Sequence, residues 1–336
     1  MTLPLKGEGR ERFTILRTMD FSIVVPVFNE EESLRELVSN IKRAFSTVKK
    51  TYEIIFIDDG STDKSLDILK RIASENRNVR VLSLRKNLGK SPALTLGFRK
   101  ASGKYIATLD ADLQDDPLNI LPLYKKMTKG NYDLVTAWRK NRKDSFFKVL
   151  SSKLFNKVVV PFLFEIKLND LNSGLKLYKA ETAKSLNIYG GMHRFIPVIA
   201  VEMGYRVSEK EAIHHPRKYG QSKYKFSKIF SDIPDLLTIY FIMKYNNRPL
   251  HFFGKIGGFI LFLGLVILFY LSYLRLFLNQ TIGDRPLLLF GILLVIAGIQ
   301  TLFTGLIADL IVNTKSQKND EFSVKYDSRE EGTGKN

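Results

Sequence analysis

Tyr105-Ile106-Ala107-Thr108-Leu109-Asp110-Ala111-Asp112-Leu113-Gln114-Asp115-Asp116-Pro117 is the stretch on which the reading of this chain turns. A short apolar run ends abruptly in carboxylates, and a proline follows that can open a helix. In an open parallel sheet ligands bind beyond the carboxyl ends of the strands, so acids in this position point to a ligand crevice. Outward from this stretch the pattern recurs. Strands are predicted at Phe21 to Val27, Tyr52 to Ile57, Val79 to Leu84, Tyr105 to Leu109 and Leu134 to Ala137. Helices are predicted between them at Glu30 to Phe45, Lys64 to Asn76, Ser91 to Ala101 and Pro117 to Thr128. Such alternation is the mark of an α/β domain with a mostly parallel sheet and crossover helices.

Beyond Arg139 the expected elements are a basic helical stretch at Ser145 to Phe155, a strand around Ser173 to Tyr178 and a helix near Phe195 to Met203. Tyr224 to Tyr245 carries Phe226, Ile229, Phe230, Ile233, Leu236, Leu237, Tyr240 and Phe241 at helical spacing. That face suits either a core or a helix lying in a membrane interface. Two uncharged apolar runs follow, Ile256 to Leu274 with 19 residues and Leu287 to Ala308 with 22. Each matches the ~20 residues that cross a bilayer as a helix, and two in tandem read as a transmembrane hairpin. The expected organisation is an N-terminal extension over 1–19, a catalytic-type domain over 20–221, a juxtamembrane amphipathic region over 222–250, the hairpin over 251–313 and a polar tail over 314–336. Met1 to Asp20 lacks the apolar core of a secretory signal, and Lys and Arg gather outside the short connection between the spans. The expectation is an integral protein of a prokaryotic plasma membrane with its folded domain cytoplasmic.

The 336 residues carry a formal charge of +18 and no cysteine. The charge suits anionic lipid, phosphate or nucleic acid. The spans argue for lipid and phosphate and against nucleic acid. Without cysteine there is no disulfide, thiolate nucleophile or thiolate-bound metal.

Acids stand at three predicted strand ends: Glu30 after the first, Asp58 and Asp59 after the second, Asp110 and Asp112 after the fourth. Carboxylates gathered around one crevice repel unless a cation neutralises them, and oxygen ligands suit Mg²⁺ or Mn²⁺ bridging a diphosphate. Asp110 and Asp112 flank a small residue and can approach one metal, while Asp58 and Asp59 can accept hydrogen bonds from a ribose and a base.

The segments Pro26-Val27-Phe28-Asn29-Glu30, Asp58-Asp59-Gly60-Ser61-Thr62-Asp63 and Asp110 to Pro117, in that order, resemble the inverting family 2 glycosyltransferases of the GT-A, Rossmann-like fold. Asn87-Leu88-Gly89-Lys90, Asp170-Leu171-Asn172-Ser173-Gly174, His193-Arg194-Phe195-Ile196-Pro197 and Arg217 to Tyr224 sharpen the resemblance to the polyprenyl-phosphate branch, similar to dolichol-phosphate mannose synthase and bacterial polyprenyl-phosphate glucosyltransferases. The resemblance implies transfer of a sugar from a nucleotide-sugar, UDP- or GDP-linked, to a polyprenyl or dolichyl phosphate, with inversion. It implies nucleotide binding by Pro26, Phe28, Glu30, Asp58, Asp59, Lys90, Asp110 and Ala111. Metal and diphosphate would lie with Asp110, Asp112 and Gln114, and Arg217 would close over the phosphates. Arg139, Lys148 and Ser152 would bind the acceptor phosphate, and Asp170, His193 and Arg194 would position the donor sugar.

A phosphomonoester is largely dianionic near neutrality, so its attack on the anomeric carbon needs no strong general base. A processive polysaccharide synthase of the same fold would carry Gln-x-x-Arg-Trp, and the only tryptophan, Trp138, follows Ala137 instead. A non-catalytic membrane scaffold leaves the acids at every strand end unexplained. Membrane lipids are expected partners, and the reading admits a homo-oligomer.

Overall fold

The computed structural model describes residues 19–46, 48–140, 166, 168–216, 218–219, 238, 240–241, 244–245, 248–283 and 286–316. Two compact units divide the chain, Met1–Asp235 and Leu236–Asn336. The first is built on β1 (Phe21–Val27), a run so apolar that six of its seven residues are buried. A strand apolar on both faces needs cover on both, which favours the centre of a parallel sheet. β2 (Tyr52–Asp58) and β4 (Tyr105–Thr108) pair with β1 in parallel on either side, and β3 (Val79–Ser83) pairs with β2 in parallel.

Beyond β4 lie β6 (Lys176–Lys179), β5 (Leu134–Trp138) and β7 (Val207–Glu211), giving the order β3-β2-β1-β4-β6-β5-β7. β6 runs antiparallel to both its neighbours, so the sheet is mixed and mostly parallel as expected. The crossover helices are α1 (Leu34–Ser46), α2 (Ser65–Glu75), α3 (Lys90–Lys100) and α4 (Ile120–Gly130). Short helices α5 (Ala180–Ser185) and α6 (Ile196–Glu202) follow β6. α1 buries Leu34, Leu37, Val38, Ile41, Ala44 and Phe45, an i, i+3, i+4, i+7 stripe, into the core with Phe21, Ile23 and Phe56.

Register sets the site. Val27 lies opposite Asp58, and the Leu109 amide donates to the Val24 carbonyl at 3.1 Å. The segments leaving β1, β2 and β4 therefore emerge together at one edge of the sheet. α3 reaches that edge because it packs close on β1 through Gly97, where an added Cβ would stand 2.3 Å from Val24 Cγ1.

Most predicted elements agree with the observed ones to within a residue or two. α1 begins four residues later than predicted, because Asn29 takes the left-handed region (φ 54°) and the chain turns before the helix starts. Pro117 opens a single 3₁₀ turn, Pro117–Asn119, before α4. Neither β7 nor α5 was expected. The predicted helix at Ser145 to Phe155 and most of Tyr224 to Tyr245 lie outside the described residues.

The second unit holds α7 (Pro249–Phe277) and α8 (Pro286–Ser316), α7 longer than its uncharged run because Lys255 and Arg275 are helical too, and α8 longer because the helix continues past Ala308 through Asp309 to Ser316. Each is long and apolar enough to cross a membrane, with a mean hydropathy of 2.3 and little of its surface buried. They pack backbone to backbone at glycines: a Cβ at Gly298 would meet Leu261 N at 2.6 Å, and one at Gly264 would meet Val295 N at 2.8 Å. Small residues at such crossings permit the close approach that holds helices together where lipid removes the hydrophobic drive.

Gly97→Ala puts a methyl group into the stiff, branched Val24 side chain. We expect it to cost about 1–3 kcal/mol, read as a lower midpoint in denaturant melts followed by circular dichroism, against a neutral Lys100→Ala control on the exposed face.

Candidate active site

The loops leaving β1 and β2 are bound to each other. Asn29 Oδ1 accepts the Thr62 amide at 2.8 Å, the Asn29 amide donates to Ser61 Oγ at 3.1 Å, and the Glu30 amide donates to Ser65 Oγ at 2.9 Å. Asp63 takes the Glu31 and Ser65 amides, so this acid is spent on the backbone. Gly60 (φ 68°) lets the β2 loop touch the loop after β3; a Cβ there would lie 2.6 Å from the Lys86 carbonyl carbon.

Asp58, 1% accessible, closes β2 and accepts Ser83 Oγ–H at 2.7 Å and the Ser61 amide at 3.2 Å. Asp59 holds the Leu88 and Gly89 amides at 2.8 Å each, one on each carboxylate oxygen. The pair expected at the nucleoside thus also builds the floor of the site. Pro26, Phe28 and Glu30 stand half-buried at the end of β1 beside them.

Gly89 (φ 93°) turns the chain into α3, and Lys90, its first residue, directs its ammonium onto Asp110 Oδ1. The two side chains remain 31% and 36% accessible, so the pair can be reached from solution. Burial opposes ionisation of Asp110, but Lys90 outweighs it, with help from Lys176, and the carboxyl is held below the usual range. A Cβ on Gly174 would come within 2.6 Å of Asp110 Oδ2 and 2.7 Å of Asp115 Oδ2, so only a bare glycine lets these two carboxylates share that corner. Asp112 and Ala111 are buried, and Asp112 Oδ1 accepts the Gln114 amide at 3.2 Å. Between them Leu113 sits at φ 63°, a left-handed conformation that costs a non-glycine residue roughly 1–3 kcal/mol. Half-buried Gln114 is fixed through its carbonyl, which accepts the His215 amide at 2.8 Å. Asp115 meets His214 Nδ1 at 3.3 Å, and Asp116 accepts the Leu118 amide at 2.9 Å and meets His215 Nε2 at 3.2 Å.

Arg139 and Asp170 form a buried bidentate pair at 2.7 and 2.9 Å, with the same guanidinium reaching the Asn172 carbonyl at 3.0 Å. Although burial works the other way, Asp170 raises the Arg139 pKa above its already high ordinary value. Expected at different substrates, these two residues form one unit in the structure.

Ser91 Oγ donates to the Gly190 carbonyl at 2.7 Å and accepts the His193 amide at 3.1 Å. Its only hydroxyl proton is used, so the 3.0 Å contact with His193 Nδ1 requires a proton on Nδ1. Burial first, then Lys90 and Arg194, push the His193 pKa down to about 3, which leaves a neutral ring with a bare Nε2 acceptor. Arg194 ends the adjoining 3₁₀ turn.

Lys176 was missed. It is 3% accessible on β6, donates to the Ser173 carbonyl, and feels Asp110 and Asp170 as well as Lys90 and Arg139. The sequence signal was a lone lysine between Leu175 and Leu177, where strand alternation over a doubly covered sheet leaves no solvent face. Lys148, Ser152 and Arg217 lie outside the described residues.

A metal or nucleotide is implied by this donor set. Asp110 and Asp112, with a half-accessible Asp110 already seeking positive charge, fit a hard divalent cation. Among the described residues no three His, Asp or Glu side chains form a complete cage, so outside oxygens would finish the coordination.

The profile of glycosyl transferase family 2 matches residues 22–188. Dodecaprenyl-phosphate galacturonate synthase of Rhizobium johnstonii is 37% identical over 302 residues, covering 89% of each chain. The chain belongs to glycosyl transferase family 2. An undecaprenyl-phosphate 4-deoxy-4-formamido-L-arabinose transferase of Shewanella sediminis is 35% identical over 298 residues, covering 88% of each, so the curated relatives of this family 2 chain include polyprenyl-phosphate glycosyltransferases. Glucosyl-3-phosphoglycerate synthase of Mycobacterium tuberculosis, solved with Mn²⁺, UDP-glucose and phosphoglyceric acid, superposes with a TM-score of 0.52 at 19% identity, over 67% of this chain and 79% of that one. That likeness establishes the GT-A fold.

Burial lowers the Lys176 pKa from 10.5 to about 7, so the charged form is penalised in the fold and not in the unfolded chain. The penalty is complete below pH 7 and fades as pH rises toward the unfolded value. Lys176→Met should therefore raise the unfolding midpoint at pH 6 and gain progressively less toward pH 10. The check is a pair of denaturant melts at each pH.

Proposed function

We propose that this chain transfers a sugar from a nucleotide-sugar, UDP- or GDP-linked, to a polyprenyl phosphate with inversion. The product is a lipid-phosphate-linked sugar, and the site faces the cytoplasm at the membrane. The observation that carries the reading is the charged corner made by Asp110, Asp112 and Lys90 where β1, β2 and β4 end, in a family 2 chain with two apolar C-terminal helices. The polyprenyl-phosphate relatives supply the acceptor class.

In this reading Pro26, Phe28, Glu30 and Asp58 hold the nucleoside, Lys90 meets the diphosphate, and Asp59 keeps the Leu88–Gly89 amides in place beneath it. Asp110, Asp112 and Gln114 hold Mg²⁺ or Mn²⁺, which when bound supplies Lewis-acid stabilisation of the departing nucleoside diphosphate. His193 Nε2, bare and neutral, accepts a hydrogen bond from a hydroxyl of the donor sugar, with Arg194 beside it. The Arg139–Asp170 pair keeps guanidinium protons beyond its three bonds and offers them to the acceptor phosphate. Lys148, Ser152 and Arg217 are proposed to complete the phosphate contacts. The region over 222–250 is proposed to lie along the membrane surface, where a polyprenyl phosphate presents its head group.

The acceptor brings its own nucleophile. A phosphomonoester with a second pKa near 6 is mostly dianionic at neutral pH, so no side chain has to remove a proton. The task left to the protein is to hold two phosphorylated substrates in line while balancing their charge.

The test uses full-length protein in detergent with polyprenyl phosphate and labelled UDP- and GDP-sugars. Label is expected in a mild-acid-labile lipid fraction, only with Mg²⁺ or Mn²⁺ present, and Asp112→Asn should lower transfer by at least about 10²-fold. No transfer from any donor, or full transfer in EDTA, defeats the proposal.

A further inference from the structure

Lys90 closes onto the carboxylate that a metal would need. Its ammonium bonds Asp110 Oδ1, while Asp110 Oδ2 shares the corner at Gly174 with Asp115. Lys176, Arg139 and His193 face the same corner, but Lys176 is held by the Ser173 carbonyl, Arg139 is engaged with Asp170, and His193 is neutral and tied to Ser91. Lys90 is the cation bonded directly to Asp110 among the described residues.

The placement of Lys90 is built in. Asp59 fixes the two preceding amides at 2.8 Å each, and Gly89 takes a φ of 93° that starts α3 with Lys90 facing the acids. The ammonium neutralises Asp110, but as a flexible point charge on a four-carbon stem it can change partner without moving the backbone. The accessibility of both side chains allows that exchange. A divalent cation arriving alone must displace the ammonium and gains no diphosphate oxygens, and no complete protein cage awaits it among the described residues. Arriving with a diphosphate, it gains those oxygens, and the displaced ammonium gains a new anion.

We propose that Lys90 is a place-holding cation, which occupies Asp110 in the donor-free protein and passes to the donor diphosphate when a divalent metal takes Asp110, so that metal and nucleotide bind as one coupled event. The proposal rests on the reading of Asp110 and Asp112 as metal ligands. Coupling of this kind is reciprocal: nucleotide tightens metal by the same factor by which metal tightens nucleotide. Its biological consequence is that free metal does not fill the site ahead of the donor, and the nucleoside diphosphate product leaves together with its metal when Lys90 returns.

The test titrates full-length protein in detergent with Mn²⁺, reading the free aquo-ion by electron paramagnetic resonance, alone and with saturating UDP or GDP. Wild type should bind Mn²⁺ weakly alone and about tenfold or more tightly with one of the nucleotides. Lys90→Met, and Lys90→Gln as an independent replacement, should bind Mn²⁺ alone about tenfold more tightly than wild type and lose most of the nucleotide enhancement. Lys90→Arg should keep the wild-type pattern. Circular dichroism melts identify which variants are folded. If wild type binds Mn²⁺ with nucleotide while both neutral variants bind Mn²⁺ alone no more tightly than it does, the place-holding role is wrong and the metal-site reading survives. If wild type binds Mn²⁺ with neither nucleotide, both fall.

Discussion

Like charge concentrated at one corner of a sheet is the constraint around which this domain is organised. Asp110, Asp112 and Asp115 leave β4 within six residues, and Asp58 and Asp59 leave β2 on the same edge. Carboxylates this close, with most of their surface removed from water, destabilise the fold unless hydrogen bonds or cations meet them. Each acid here has its own answer. Asp58, Asp59, Asp63, Asp112 and Asp116 accept backbone amides or hydroxyls; Asp115 takes His214; Asp170 takes Arg139; Asp110 takes Lys90.

The answers differ in permanence, and function follows from the difference. Amide-bonded carboxylates are fixed to the backbone they organise, and the buried Arg139–Asp170 pair is costly to break because either partner alone would be left charged in a dry place. The Lys90–Asp110 pair is the exposed one, joining a mobile side chain to an acid at the rim. The proposed donor exchange needs a charge that can change partner, and it needs rigid surroundings so that the exchange does not unfold the loop. Leu113 in its left-handed conformation, held by Asp112 on one side and by the 213–215 segment on the other, belongs to those surroundings.

Local pattern made the sheet readable. β1, β2, α2 and α3 appear where periodicity places them because each is apolar on the faces it buries, and the apolar C-terminal runs are unmistakable in composition. β7 was not readable, since Val207-Ser208-Glu209-Lys210-Glu211 is polar and, among the described residues, gains its strand pairing from β5. The late start of α1 depends on Asn29 meeting Thr62, more than thirty positions away, which no local window contains. The acids were visible as a group but not as individuals: nothing in the order of residues separates Asp59, locked on two amides, from Asp110, paired with Lys90 at the rim. Lys176 and the union of Arg139 with Asp170 depend on antiparallel β6 entering between β4 and β5, a long-range pairing that brings residues 139, 170 and 176 to the corner.

The proposed function depends on a divalent cation replacing Lys90 at Asp110. Crystals grown with Mn²⁺ and the nucleoside diphosphate of the accepted donor, measured with anomalous scattering at the manganese edge, address it directly. One anomalous peak is expected at direct-ligand distance from Asp110 and Asp112, with the Lys90 ammonium moved onto a phosphate oxygen. A peak elsewhere in the domain, or a nucleotide bound at this edge with Lys90 still on Asp110, contradicts it.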